Sequence, residues 1–302
     1  MTTRYLHLGI AFMVLSAAAS ACGGSNAGPG NGGSGGAGGT GGGSGKDPRC
    51  LTNMDDLLAD FASDNGLYPV DGRQGGFYTY GDDSKTADPP AILVPPEGGP
   101  NKIDADNGND LCSGPGSFHV KATGFKIWGA AAGVNLVKSY TSTTGTCIDS
   151  TTCKGWYDAS KYKGISFWVK ATSEVTGVQV SFPDVYTDGY ANALDVDPTV
   201  EAVCVYGPAP TNCSPYLVKF GSDLFPAYQD LKFDTTWRQF KVMFADAQQD
   251  VDNKPGYLLP AIGHVDLQHL TAFAIQVNAI HDGTNVTAND FEIWLDDVSF
   301  IK

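Results

Sequence analysis

Near the C-terminus two neighbouring carboxylates, Asp296 and Asp297, interrupt an apolar pattern. Phe291, Ile293 and Leu295 alternate with Glu292, Trp294 and Asp296, and Val298, Phe300 and Ile301 resume after the pair. Period two is the mark of a strand with one face in a core. Neighbours on a strand point to opposite faces, so one of the two carboxylates should point inward. An unpaired charge there is costly. The sequence leaves two answers: a bulge or turn that lets both carboxylates reach solvent, or a cation held between them.

A second chemistry is written in the aromatics and amides. Trp168 lies between Phe167 and Val169, and Gln179 and Ser181 lie between apolar neighbours. Gln239 and Lys241, then Gln276 and Asn278, do the same. Tyr78 and Tyr80 share one strand face, Trp128 follows Ile127, and the loop FPDVYTDGY adds Tyr186 and Tyr190. Aromatic rings stack on the C–H faces of pyranoses, and amides hydrogen-bond their hydroxyls. Trp168 is the best single choice for a platform, because Ile165, Phe167 and Val169 commit the other side of its strand to the core.

Other chemistries are poorly served. The segment DADNGND at 104–110 has Asn109 where an EF-hand loop needs its glycine, so it reads as a solvated turn. There is no G-x-S-x-G elbow. Beyond the leader only His119, His264, His269 and His281 occur, none beside a nucleophile motif. A glycosidase needs two carboxylates flanking a cleft, which sequence alone cannot pair. No C-x-x-C and no zinc-spaced histidines occur.

These residues need a scaffold of strands. Ile165, Phe167 and Val169 form one inward set, and Val178, Val180 and Phe182 a second. Phe240, Val242 and Phe244 form a third, and Phe273, Ile275 and Val277 a fourth. Such runs predict an all-β, two-sheet antiparallel sandwich over residues 50–302. One short helix is predicted near Asn53–Leu58.

Residues 1–21 read as a signal peptide: Arg4, an apolar stretch from Leu8 to Ala19, and Ala19-Ser20-Ala21 just before Cys22. Residues 22–49 read as a lipidated Cys22 followed by a Gly/Ser-rich tether with a reach of about 25 Å. The expected location is the bacterial cell envelope, as an outer-membrane lipoprotein. Six cysteines follow. Fifteen pairings are possible in an oxidising compartment. Cys147–Cys153 and Cys204–Cys213 would each clip a short loop, and Cys50 would then pair with Cys112. The formal charge of −14 argues against nucleic acid as a partner and permits bound cations.

Four segments resemble β-jelly-roll carbohydrate-binding modules of the family 11 kind and related galactose-binding-like domains. They are LLADF at 57–61, DGRQGGFYTY at 71–80, YKGISFWVK at 162–170 and FEIWLDDVSF at 291–300. The opening motif departs from the family's D-F-E, since Ala62 stands where the glutamate would be. The resemblance implies a jelly roll with no catalytic residues and a polysaccharide, β-glucan in particular, as partner. It also implies a structural calcium ion joining the first strand to the last through Asp60, Asp296 and Asp297. A monomer is expected. The competing readings are a protein related to cellulase-associated glycoside hydrolases and an envelope lipoprotein that uses the fold without a sugar site.

Overall fold

In the computed structural model of the chain, the described residues are 56–61, 66–97, 103–104, 116–142, 152–192, 195–196, 226–249 and 264–302. All lie in one compact unit, Lys46–Lys302; the other unit, Met1–Gly45, contains none of them.

Two antiparallel sheets carry the fold. The first runs β12 (Arg238–Met243), β9 (Gly164–Ala171), β16 (Phe291–Ile301), β5 (Ser117–Thr123), β3 (Ile92–Val94). On it, β1 (Leu57–Ala59) pairs with β16, and β4 (Ile103–Asp104) with β5. The second runs β11 (Ala227–Phe233), β10 (Val175–Phe182), β13 (Ala272–Asn278), β6 (Gly129–Asn135), β2 (Gly76–Gly81). Two ribbons complete the set: β7 (Tyr140–Thr141) with β8 (Thr152–Cys153), and β14 (Ile280–Asp282) with β15 (Asn285–Thr287). The chain crosses between sheets from β5 to β6, from β9 to β10 and from β11 to β12, as a jelly-roll sandwich requires. No α-helix occurs among the described residues.

The inward sets meet in one core. Ile165, Phe167 and Val169 face Val178, Val180, Phe182, Phe273, Ile275 and Val277 across it. Phe77 packs against Phe61, Phe118 and Phe273, with ring centroids 4.7, 5.3 and 6.1 Å away. Burial of each such ring contributes about 2–3 kcal/mol. The third expected set is split: Phe240 and Val242 lie on β12, while Phe244 opens a short 3-10 turn and is still buried.

The carboxylate pair forms a bulge. Asp296 stands opposite Trp168 and Ser299 opposite Ser166, so three steps on β16 match two on β9. Asp297 takes φ 45°, the left-handed region. The extra residue flips the inward parity from Ile293 and Leu295 to Val298 and Phe300.

The helix expected near Asn53–Leu58 is a correction. Leu57 and Leu58 lie in β1, where Leu57 pairs with Ser299 and both leucines are buried. Pairing with β16 overrides a weak local preference. Asn53 to Asp55 lie outside the described residues.

Candidate functional site

The outer face of the second sheet follows from its register, because residues directly opposite each other in an antiparallel ladder share a face. One row reads Tyr78, Gly133, Ala274, Ser181, Tyr228. The next reads Tyr80, Ala131, Gln276, Gln179, Asp230. Large side chains therefore stand on the edge strand β2, and small ones along β6 and at Ala274 of β13, with Gln276 beside them. The small residues form a floor that is covered: Ala131, Gly133 and Ala274 are buried, and the Tyr78 ring lies over Gly133. A Cβ at Gly133 would stand 2.6 Å from Tyr78 Cζ, so only glycine there lets the ring lie over β6.

The aromatics make a continuous row. Tyr78 and Tyr80 stack at 5.6 Å and 28°, and Tyr80 meets Trp128 at 5.8 Å. All three are half-buried. Asp82 fixes the far end. Its Oδ2 accepts the backbone N–H groups of Ile127, Trp128 and Gly129, each at 2.8 Å, and its Oδ1 accepts that of Ser84. Burial pushes the Asp82 carboxyl up, but the hydrogen bonds from Ser84, Gly129 and Ile127 outweigh it and hold the pKa below the usual value.

At the near end Lys154 approaches the Tyr78 hydroxyl, 3.4 Å away, and pairs with Asp188 Oδ2 at 3.0 Å. Its ammonium lies 5.8 Å from the Tyr78 ring centroid and 5.4 Å from that of Tyr190. Burial lowers the Lys154 pKa, and Asp188 more than reverses this, so the ammonium stays charged and locally neutralised. Asp188 also accepts from the Thr271 hydroxyl at 2.9 Å and from the Tyr190 backbone at 2.9 Å. Asp184 pins the same loop by accepting from the Tyr186 and Thr187 backbones at 3.0 Å and the Asp266 backbone at 2.9 Å. Burial pushes Asp184 up to about 6 against those donors. Burial likewise raises the Tyr80 hydroxyl, which remains a neutral donor.

Of the eight residues proposed from sequence for sugar contact, the fold thus gathers Tyr78, Tyr80, Trp128 and Tyr190 near one face, with Gln179 and Gln276 paired across it. Gln276 Nε2 donates to Asn278 Oδ1 at 2.5 Å, which orients its amide. Tyr186 lies on the turn pinned by Asp184, half-buried.

Trp168 does not join them. It lies on β9 of the other sheet, turned away from the core, between Gln239 and Asp296. It is 4% exposed, so the open platform expected from its parity is not there. Its neighbours share that fate. Trp294 is 6% and His119 8% exposed, stacked at 4.8 Å and 4°, with the Lys170 ammonium 5.6 Å from the Trp294 ring. His119 Nε2 lies 3.0 Å from Glu292 Oε1.

The expected metal residues converge only in part. Ala59 pairs with Val298, which brings Asp60 and Asp297 next to each other on the β1–β16 ladder. Asp296 and Asp297 are buried, and the Asp297 backbone donates to Asp296 Oδ1 at 2.8 Å. Asp60 Oδ2 accepts from the Tyr68 hydroxyl at 2.6 Å. Among the described residues no three His, Cys, Asp or Glu side chains stand together closely enough to hold a metal ion. Cys153 is disulfide-bonded. Cys22, Cys50, Cys112, Cys147, Cys204 and Cys213 lie outside the described residues, as does most of the segment at 104–110, whose Asp104 ends β4.

Sequence reasoning missed Lys154, Asp188, Tyr228 and the small-residue floor. The floor had a signal, the run GAAAG at 129–133 inside a strand, since small residues there mark close approach. Lys154 and Asp188 carried none, for Lys154 reaches Asp188 and Tyr78 only through the fold.

No protein-family model matches the chain, and no curated protein does either. Solved structures do. A family 11 carbohydrate-binding module of a cellulosomal cellulase of Clostridium thermocellum superposes with a TM-score of 0.39 at 15% identity, over 81% of this chain and 92% of that one. A family 11 module of the same organism, in complex with a β-1,3-1,4-mixed-linked tetrasaccharide, gives 0.38 at 14%, over 82% and 94%. An agarase, AgWH50C, gives 0.37 at 9% identity, over 82% of this chain and 26% of that one.

Proposed function

We propose that the chain is a non-catalytic carbohydrate-binding module whose ligand lies on the outer face of the second sheet, and that β-glucan is the ligand class. The observation that carries this is the half-buried row Trp128, Tyr80, Tyr78 on the outward parity of the second sheet. Rings at such a row stack on sugar faces, and Gln276 and Gln179 stand where hydroxyls would pass. The only charged pair close to the row, among the described residues, is Lys154–Asp188, which neutralises itself. A linear, uncharged chain suits that surface. A panel of soluble and insoluble glucans, read for binding and for release of reducing sugar, tests the proposal. Binding without release is expected. Release of reducing ends would make the chain a hydrolase, and no binding to any glucan would remove the assigned ligand.

Calcium belongs to the same reading as a structural ion at Asp296, Asp297 and Asp60. The buried neighbouring carboxylates and the β1–β16 pairing support it. The three side chains do not stand together as a metal-holding set, so the ion would need them to turn towards one another, with backbone carbonyls or water supplying the rest. Free calcium at 100 times its dissociation constant would add about 2.7 kcal/mol. A melting temperature unmoved by chelator would count against the ion. Lipidation of Cys22 and tethering to the envelope by residues 22–49 are proposed from the sequence alone. Mass spectrometry of the mature N-terminus decides that point, and an unmodified Cys22 would end it.

A further inference from the structure

An open depression of about 450 Å³ lies off the aromatic row and has no part in it so far. Asp71, Trp156, Asp158, Ser160, Lys161 and Val137 line it. Its place follows from the register. The β2–β6 ladder ends at Gly76 opposite Asn135, and the backbones of Gln74 and Gly75 then donate to Leu136 O. Val137 lies in the bend just beyond β6 and packs against the edge of the core, and Asp71 precedes β2 in a turn with φ 61°. The depression therefore begins where the sheet face stops, at the Tyr78 end. Lys154, which contacts the Tyr78 hydroxyl, is two residues from Trp156, and Gly155 between them packs against Lys138 O and Val137.

The lining has the chemistry of sugar recognition. The half-buried Trp156 indole is held by edge contacts to Tyr140 at 5.3 Å and 89° and to His269 at 6.0 Å and 66°. Asp71 accepts from the Tyr157 hydroxyl at 2.9 Å and pairs with Lys161. Asp158 accepts from the Ser160 backbone at 3.0 Å. Hydrogen bonds from Lys161 and Tyr157 hold the Asp71 carboxyl below its usual pKa, and those from Ser160 do the same for Asp158. Both carboxylates are thus acceptors for adjacent hydroxyls, beside an ammonium donor and an indole face.

We propose that the depression is a second saccharide subsite, continuous with the Trp128–Tyr80–Tyr78 row and engaged only by chains long enough to pass beyond Tyr78. The proposal rests on the saccharide-binding reading of the sheet face. Calorimetric titration of the full chain with a mixed-linked β-1,3-1,4-glucan tetrasaccharide, and with longer oligomers of the same glucan, tests it. Tyr80→Ala should weaken every ligand. Trp156→Ala and the milder Asp158→Asn should weaken the longer oligomers about tenfold and leave the tetrasaccharide unchanged. Asp158 is exposed, so its variant keeps the fold. If Tyr80→Ala loses binding while Trp156→Ala and Asp158→Asn bind longer oligomers like wild type, the subsite is refuted and the sheet-face reading stands. If the unaltered protein binds neither ligand, both fall together.

Discussion

Trp168 and Tyr80 hold equivalent places on opposite sheets, each on the outward parity of its strand. Tyr80 is half-buried in a row of three half-buried rings. Trp168 is 4% exposed, and beside it Trp294 and His119 stack on each other under cover. Outward parity therefore separates core from non-core but does not separate surface from a second buried layer. An aromatic turned out of a sandwich needs a partner. On the first sheet Trp168, Trp294 and His119 lie under cover; on the second Tyr78, Tyr80 and Trp128 keep partial exposure.

The largest effect that sharpens this contrast is Trp168→Ala. Removal of a buried indole should cost about 3–5 kcal/mol of stability. Affinity for glucan, measured on the folded fraction, should not change. A variant of normal stability with lost affinity would reverse the assignment of the two faces.

Next comes Asp82→Ala. It leaves the buried Gly129 N–H and the part-buried N–H groups of Ile127 and Trp128 without their acceptor, at about 1–3 kcal/mol. It should also loosen Trp128 and lower affinity. Acid offers the same test without mutation. Asp82 has a depressed folded pKa, so its contribution is present above the ordinary carboxylate value of 3.8 and is lost as pH falls through the folded value below it. Asp184 has the opposite sign. Its folded pKa is raised to about 6, so its contribution is full below 3.8 and is lost as pH rises through about 6. Melting temperature should rise on acidification from pH 6 towards 4, then fall. Asp184→Asn should abolish the rise and keep the fall.

Tyr80→Ala is the smallest in stability and the most telling in binding. The side chain is half-buried and outside the core cluster, so the fold should persist. Loss of a stacking ring should lower affinity about tenfold, near 1.4 kcal/mol. Unchanged affinity would remove the row from the binding face.

Much of the fold was legible because its signal is local. The inward sets on β9, β10 and β13 follow from period two, and the break at Asp296–Asp297 is a bulge that the parity change on β16 demands. The first strand was read two ways, as helix by local pattern and as strand by motif; pairing with β16 decides for strand. The site was half legible. Tyr78, Tyr80 and Trp128 declare their faces, but how far each face is covered depends on chain segments far away in sequence. Lys154 and Asp188 reach the site through loops whose course no periodicity fixes.

The most direct measurement follows the indole N–H and side-chain amide signals during titration with mixed-linked β-1,3-1,4-glucan oligomers. Trp128, Gln276 and Gln179 should shift with a common saturation curve, while Trp168 and Trp294 stay still. Movement confined to Trp168 and Trp294, or no movement at all, would contradict the placement of the binding face on the second sheet.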